Sequence, residues 1–394
     1  MTDSVAVVGG GAVGVTAARA LAVRGADVTL FERGEIAAES TGRAAGICYD
    51  AFAGRTDAAV AARAMTRFRE LAAETRFSLV ERPYVWLARE GDETRAEAIR
   101  EQVPRMRERD RAVELLDPGA LAAEFPALRT DDVAVAAVAR DAACADPAEY
   151  AAVMAERARE AGAVIRTETE VGLTDGPTVV TPDGTVAFDA VLVAAGAHTR
   201  PLLAEAGVAV PIKAYRVQAL VTEPIPASER VPTLYDATEG FYWRPVEQCG
   251  TGVDGRASEV RRGAREGGLL VGDGVEKRDF DPEDWDRTAD EPFLASALER
   301  VDAALAPGET RPSEAERSWA GLCTATPDRD PLVGEIESDF FVAAGWHGHG
   351  FMRAPALGRT VAGQILGEDG IEAFHPTRFD GDEQFPVVEG MTVE

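Results

Sequence analysis

A run of glycines near the N-terminus constrains this chain more than any other feature. Residues 4–8 are a short apolar stretch, Gly9-Gly10-Gly11-Ala12-Val13-Gly14 follows, and small residues at helical spacing continue to about Val23, with a stop at Gly25. A second apolar stretch, 27–31, ends in Glu32-Arg33. Strand, glycine turn, helix, strand and acid, in that order, make a dinucleotide-binding unit. Gly9 permits the tight turn, Gly11 lets the backbone approach a pyrophosphate, and Gly14 lets helix and strand pack closely. Ala12 and Val13 open the helix, whose unpaired N–H groups suit phosphates. Glu32 falls where a carboxylate accepts hydrogen bonds from ribose hydroxyls and repels a 2′-phosphate; NADP is disfavoured, and NAD and FAD remain.

The rest of the chain sets the frame for this unit. At 394 residues it exceeds the roughly 250–300 at which one core stops growing, so two domains are expected. No window approaches the ~18 apolar residues of a membrane span, and Met1-Thr2-Asp3 leads into the first strand without a basic leader. We expect a soluble cytoplasmic protein. Cys48, Cys144, Cys249 and Cys323 lie far apart without a C-x-x-C pair, and only four histidines are present. That pattern argues for reduced thiols and against a metal site. With 68 acidic against 41 basic residues the net charge is −27. Such a field repels nucleic acid and anionic lipid. It also suits a salt-adapted (halophilic) protein, because at 1 M salt the Debye length is only about 3 Å and self-repulsion is screened.

The loop after Glu32 decides between the two nucleotides. Ser40-Thr41-Gly42-Arg43-Ala44-Ala45-Gly46 resembles the second FAD-contacting loop of the D-amino acid oxidase superfamily, which includes glycine oxidase, sarcosine oxidase and dimethylglycine dehydrogenase. The helix from Asp146-Pro147, the strand at 163–167 and Val171 look like the segment in which a backbone valine meets the adenine. Residues 189–195 with Gly196-Ala197-His198 resemble the strand and turn that recross beneath the cofactor, bringing in Ala195 and Gly196. Near the C-terminus, Trp319-Ala320-Gly321, the Thr326–Gly334 run and Gly345-Trp346-His347-Gly348-His349-Gly350-Phe351-Met352 resemble the family's flavin-ring signature. The resemblance runs from residue 4 to about 380. It implies an α/β protein: a Rossmann-like FAD-binding domain from 1–80, 140–212 and 318–380, and an α+β substrate domain on an antiparallel sheet from 81–139 and 213–317. Residues 250–268 are Gly- and Arg-rich and are expected as a flexible loop; 381–394 are expected as a frayed acidic tail.

The implied activity is oxidation of a C–N bond of a small amine or amino acid, with a 2-hydroxy acid, or an electron-relay subunit of a complex, as alternatives. Such a site positions and desolvates its substrate while the cofactor takes the hydride. An arginine suits any substrate carboxylate. Tyr242 and Arg244, in Phe241-Tyr242-Trp243-Arg244-Pro245, resemble the family's active-site strand and alternate onto one face of it. Arg353 is a second candidate anchor and Arg216 a third. His349 is a candidate for hydrogen bonding near the flavin; His347 is taken as structural. Independently of the resemblance, Gly345, Gly348 and Gly350 allow the backbone close to a flat ring, and the following helix aims its N-terminus there.

The sequence also departs from the family. The position of the flavin-linked cysteine in sarcosine oxidase-like members is Gly321, and Cys323 is two residues away, so non-covalent FAD is expected. The arginine that follows Gly-Leu in glycine oxidase-like members is replaced by Cys323 after Gly321-Leu322. The oxidases' oxygen-activating lysine aligns with Leu270. Oxygen and another electron acceptor therefore both remain open, as does the oligomeric state.

Overall fold

The computed structural model describes residues 4–246, 267–337 and 339–388. Two large sheets organise them. The first has six strands, in the order Leu332–Glu337, Phe340–Ala344, Ala190–Val193, Ser4–Val8, Asp27–Phe31, Val164–Arg166. All neighbours are parallel except the first pair. The inner strands read as continuous apolar runs because both faces are covered. Val5, Val7 and Leu30 pack with Leu21, Tyr150 and Leu357 of the helices Ala12–Val23, Pro147–Glu160 and Gly350–Ile365. Ala6, Val8, Phe31, Val191 and Val193 face the other way, toward Leu173 and Val179 of a small antiparallel sheet and Leu202 and Leu203 of the helix Thr199–Glu205.

Two of these helices begin in contrasting ways. Pro147–Glu160 has Pro147 in its first turn, and the Asp146 side chain accepts from the N–H groups of Ala148 (2.9 Å) and Glu149 (3.2 Å). These are the residues a sealed helix start calls for. Ala12–Val23 starts at Gly11, which has no side chain to cap it. Its first turn is therefore left for other partners, one of which is Thr41 Oγ1, accepting from Ala12 N at 3.1 Å.

The second sheet has eight strands: Ala315–Ala325, Lys213–Thr222, Leu269–Glu276, Phe241–Pro245, Thr233–Asp236, Tyr84–Arg89, Val133–Ala139 and Val113–Leu116. All neighbours are antiparallel except Thr233–Asp236 with Tyr84–Arg89. One face carries Val85, Leu220, Trp243, Leu269 and Val271, packed against Phe293, Ala297 and Val301 of the helix Glu291–Ala304. Alternation sends Tyr84, Tyr215, Ala219, Tyr242 and Trp319 to the opposite face. A small sheet of Ile47–Cys48, Ala143–Ala145 and Leu79–Glu81 lies between the two systems along the chain.

Several expectations need correction. The strand Ala315–Ala325, expected from residue 318 with the cofactor domain, pairs along its length with Lys213–Thr222 and is the edge of the eight-stranded sheet. A small-residue strand carries no mark of which sheet it will join. The C-terminal helix starts at Gly350, within the glycine signature itself, and holds Pro355 inside it. The tail expected to fray is docked through Val388: Val387 is buried with Tyr215 and Ala325, and Lys213 Nζ donates to the Phe385 carbonyl at 2.5 Å while lying 4.5 Å from the Phe385 ring. Two apolar side chains among acids and hydrogen bonds to the backbone of Phe385 and Val388 hold it. Residues 389–394, Cys249 and all of the expected 250–268 loop except Gly267 and Gly268 lie outside the described residues. No helix among the described residues is long and apolar enough to cross a membrane.

Candidate active site

A cavity of about 550 Å³ separates the glycine turn from the eight-stranded sheet, within the range of cofactor and ligand sites. Gly9 has φ +116°, and a Cβ there would come within 2.4 Å of the Ala194 carbonyl oxygen. Gly14 does not line the cavity; it lies beneath the turn, where a Cβ would fall 1.9 Å from the Gly9 carbonyl oxygen. Gly11, Ala12 and Val13 line it directly. At the end of the second strand, Glu32 accepts from Gly10 N (2.7 Å) and Gly34 N (2.8 Å). Both oxygens are thereby fixed, and each keeps a lone pair for a ribose hydroxyl.

The 40–46 segment forms a short helical turn and a loop stitched to the eight-stranded sheet. Ser40 Oγ donates to the Leu322 carbonyl at 2.8 Å, and Trp319 Nε1 donates to the Arg43 carbonyl at 3.0 Å. Arg43 itself donates to the Ala38 carbonyl (3.0 Å) and Glu39 (2.8 Å). Ser40, Thr41, Arg43, Ala44, Ala45 and Gly46 all line the cavity, as do Arg33, Val171, Ala195, Gly196 and Gly321.

At the far end stands the 345–352 turn. Gly348, His349, Gly350, Phe351 and Met352 line the cavity at the N-terminus of Gly350–Ile365. The Phe351 ring points into the core, with centroids 5.1 Å from Phe68 and 5.6 Å from Tyr150. Such ring pairs contribute about 0.5–1.5 kcal/mol each beyond burial, so the signature phenylalanine anchors the turn. His347, at φ +46°, accepts from Thr326 N at its Nε2 (2.7 Å), leaving Nδ1–H to donate to the Val388 carbonyl (3.3 Å). Burial pushes its pKa down to about 4. His349 lies 3.2 Å from the Tyr49 hydroxyl through Nε2. Burial, then the Arg353 charge, pushes its pKa down to about 3, and burial pushes Tyr49 up to about 12. Both are neutral near pH 7.

The wall facing this turn is phenolic. Tyr242 lines the cavity, and its ring lies over Gly272, where a Cβ would come 2.1 Å from Tyr242 Cζ. Tyr84 also lines it and stacks on Tyr49 with centroids 4.8 Å apart. Tyr49, Tyr84 and Tyr215 were not singled out from the sequence. Tyr49 could have been, because it lies three residues beyond Gly46, directly after the short strand Ile47–Cys48 that leaves the cofactor loop; the other two depend on sheet pairing.

The expected arginine anchors are placed elsewhere. Arg244 is buried and outside the cavity lining, with Nε donating to the Ala45 carbonyl (2.5 Å) and Nη1 to the Pro245 carbonyl (2.9 Å). Arg353 pairs with Asp57 at 2.8 Å and lies over Phe52. Arg216 is held by Glu276, by Asp290 (3.0 Å) and by the Asp286 carbonyl (2.9 Å). A buried guanidinium must find partners; Arg244 and Arg216 have found hydrogen-bond partners inside the protein, whereas Arg353 has its Asp57 ion pair but a buried Nε with no hydrogen-bond partner among the described residues.

The donor set fits FAD. An uncapped helix start suits the pyrophosphate, Glu32 a ribose, and the glycine turn of residues 345–350, at a second helix N-terminus, a flat ring. Comparison with known proteins agrees. The chain matches the family "DAO: FAD dependent oxidoreductase" over residues 4–364. It is 28% identical over 391 residues to glycine oxidase of Pseudomonas aeruginosa, covering 94% of this chain and 97% of that one. A shorter match, 36% over 124 residues, is to the tRNA 5-methylaminomethyl-2-thiouridine biosynthesis bifunctional protein MnmC of Maricaulis maris; it covers 29% of this chain and spans only 20% of that protein. Among solved structures, L-proline dehydrogenase from P. horikoshii superposes with a TM-score of 0.80 at 27% identity, covering 96% of this chain and 98% of that one. The match along nearly the whole chain and a cavity built for a dinucleotide identify a flavoenzyme of the FAD-dependent oxidoreductase (DAO) family, with FAD as its cofactor.

Proposed function

We propose that this protein oxidises a C–N bond of a small amine or amino acid. The observation that carries this is the continuity of the cavity, from the pyrophosphate turn at Gly9–Gly14 to a chamber walled by Tyr49, Tyr84 and Tyr242 and floored by the turn at His349. When bound, FAD supplies the two-electron acceptor for the hydride leaving the carbon that bears nitrogen. The chain's own part is to position and desolvate. Tyr84 and Tyr242 supply electron-rich rings beside the cavity, which attract an ammonium or alkylammonium group, while Tyr49 is stacked between Phe52 and Tyr84. The start of Gly350–Ile365 adds partial positive charge beside the cavity. The relatives support the class, being named for glycine and L-proline, two amine-bearing acids.

In this reading Arg244, Arg353 and Arg216 are not the anchors of a substrate carboxylate: Arg244 and Arg216 are held by internal partners, and Arg353, paired with Asp57, lies outside the cavity lining. Non-covalent FAD is the companion proposal, with the Cys323 side chain beside the cavity rather than bonded to the cofactor. The acidic surface supports a cytosolic, salt-adapted setting. Unfolding on dialysis into dilute buffer is the expected behaviour; equal stability in dilute buffer and in concentrated KCl would contradict it.

The deciding experiment is anaerobic titration of the yellow protein with amines, D- and L-amino acids, N-methyl amino acids and 2-hydroxy acids. Bleaching of the flavin band by an amine-bearing compound is expected, and air then reports whether oxygen accepts the electrons. Bleaching by 2-hydroxy acids alone would overturn the proposal.

A further inference from the structure

The connection between the strand Leu269–Glu276 and the helix Glu291–Ala304 does more than join them. It leaves the eight-stranded sheet and crosses to the elements of the dinucleotide unit. Its first part is fastened by backbone and apolar contacts. Phe280 N donates to the Ala214 carbonyl (2.8 Å), Ala214 N donates to Asp279 (3.0 Å), and Phe280 is buried with Ala197 and Leu322. Its last part is fastened by Ala320 N, which donates to the Arg287 carbonyl at 2.9 Å.

Between these points the segment reaches the cofactor residues through charges. Glu283 pairs with Arg33 (2.5 Å) and lies 3.0 Å from Nε2 of His198, whose pKa burial lowers. Arg287 pairs with Glu39 (2.9 Å), and the Trp285 ring lies under Arg287 and beside Arg43, 4.8 and 6.0 Å from their guanidinium carbons. The Arg33 hydrogen bond holds Glu283 below the usual carboxylate range. Burial opposes the charge on Glu39, yet Arg287 and Arg43 still hold its carboxyl below that range. Asp281, Pro282 and Glu283 line the cavity together with Glu32, Arg33, Val171 and His198. Glu32 marks the ribose position, so the segment lies over the adenosine half of the site.

We propose that residues 279–287 belong to the cofactor site and act as an ionic clasp: they close the adenosine half of the FAD cavity, and FAD enters and leaves by opening them. Fixed ends with an ion-paired middle are what such a clasp requires. The fastenings at Ala214 and Ala320 keep the segment in place, while half-exposed pairs separate at small cost. The inference concerns the cofactor and holds whatever the substrate.

The test is the rate of FAD release from the holoprotein, followed by the rise in free-flavin fluorescence on dilution, with the thermal midpoint of the apoprotein measured alongside. Two half-exposed pairs are expected to change release by about tenfold together, so Glu283→Gln/Arg287→Gln should release FAD about tenfold faster with the apoprotein midpoint unchanged. Glu283→Asp and Arg287→Lys, which keep the charges, should stay within about threefold of the parent. Release from the double variant within about twofold of the parent overturns the clasp. If the double variant also destabilises the apoprotein, Glu283→Gln alone decides: its side chain is 66% exposed, so packing is untouched. Unchanged release from that variant overturns the proposal as well.

Discussion

The two sheets meet at one cavity but contribute to it by different means. The six-stranded sheet offers backbone: a glycine turn, an uncapped helix start, and a carboxylate fixed by two N–H groups. The eight-stranded sheet offers side chains, namely phenols on one face and arginines whose partners come from distant parts of the chain. Arg244 is bound to the carbonyl of Ala45, 199 residues away, and Arg216 to Asp290, 74 residues away. A backbone site is defined by where side chains are missing, and glycines show that directly. A side-chain site is defined by which charges are left over after folding, and that depends on neighbours.

The sharpest test of this contrast is Gly14→Ala. The new Cβ would fall 1.9 Å from the Gly9 carbonyl, backbone against backbone with nothing flexible to yield. A loss on the order of 3 kcal/mol of stability is expected, with the protein purified largely free of FAD. Measuring flavin content and the unfolding midpoint checks it; full yellow content would remove the turn from the cofactor site.

On the other sheet, Gly272→Ala should leave FAD in place but drive the Tyr242 ring from its seat, since the Cβ would meet Tyr242 Cζ at 2.1 Å. Misplacing a wall residue by about an ångström costs up to about 10²-fold in rate. The expected pattern is normal flavin content with kcat/KM depressed by roughly that factor, and an unchanged value would take Tyr242 out of the substrate chamber.

Arg244→Ala separates the sequence-based expectation from the structure. As a brace between the active-site strand and the cofactor loop it should cost about 1.5–3 kcal/mol of stability, the value of hydrogen bonds from a charged group, with KM rising no more for acids than for amines. Intact stability with a rise confined to carboxylate substrates would instead restore the anchor.

The smallest expected effect is on pH dependence. The unfolded chain binds protons at His347 and His349 near pH 6.5, while burial delays protonation in the folded protein to about 4 and about 3. Their contribution is therefore complete above pH 6.5 and is lost as the pH falls through the folded values. Asp330 has the opposite sign. Burial raises its pKa to about 6, so what it contributes is present below its unfolded value and disappears as the pH rises through 6. Two histidines against one carboxyl make acidification destabilising between these limits. His349→Asn should flatten the fall by about 1.4 kcal/mol per pH unit at most, read from unfolding midpoints across pH 3–7. An unaltered profile would mean that His349 is not held neutral.

Much of the cofactor side was legible because its logic is local. The turn, the acid at residue 32, the 40–46 loop and the 345–352 signature are short stretches whose residue types state their backbone geometry, and they converge on one cavity. What was not legible is non-local. The strand Ala315–Ala325 joins the eight-stranded sheet through pairing with Lys213–Thr222, and the tail docks through Phe385 and Val387 against strands far back in the chain. Tyr49, Tyr84 and Tyr242 become one wall only when two strands of the eight-stranded sheet and the segment after Ile47–Cys48 are set beside the helix start at Gly350.

By itself, then, the sequence determined the strand–turn–helix unit, the preference for FAD and the acidic surface. The unit follows from the sterics of glycine and the charge at the end of one strand, the preference for FAD from the resemblance of the 40–46 and 345–352 segments to the oxidase superfamily, and the acidity from composition. Only the tertiary structure decided which arginines remain available to a ligand, which sheet closes the cavity and which segment lies over the adenosine. Burial and hydrogen bonding of a charged or aromatic side chain are set by groups brought to it by folding, and sequence spacing carries no record of them.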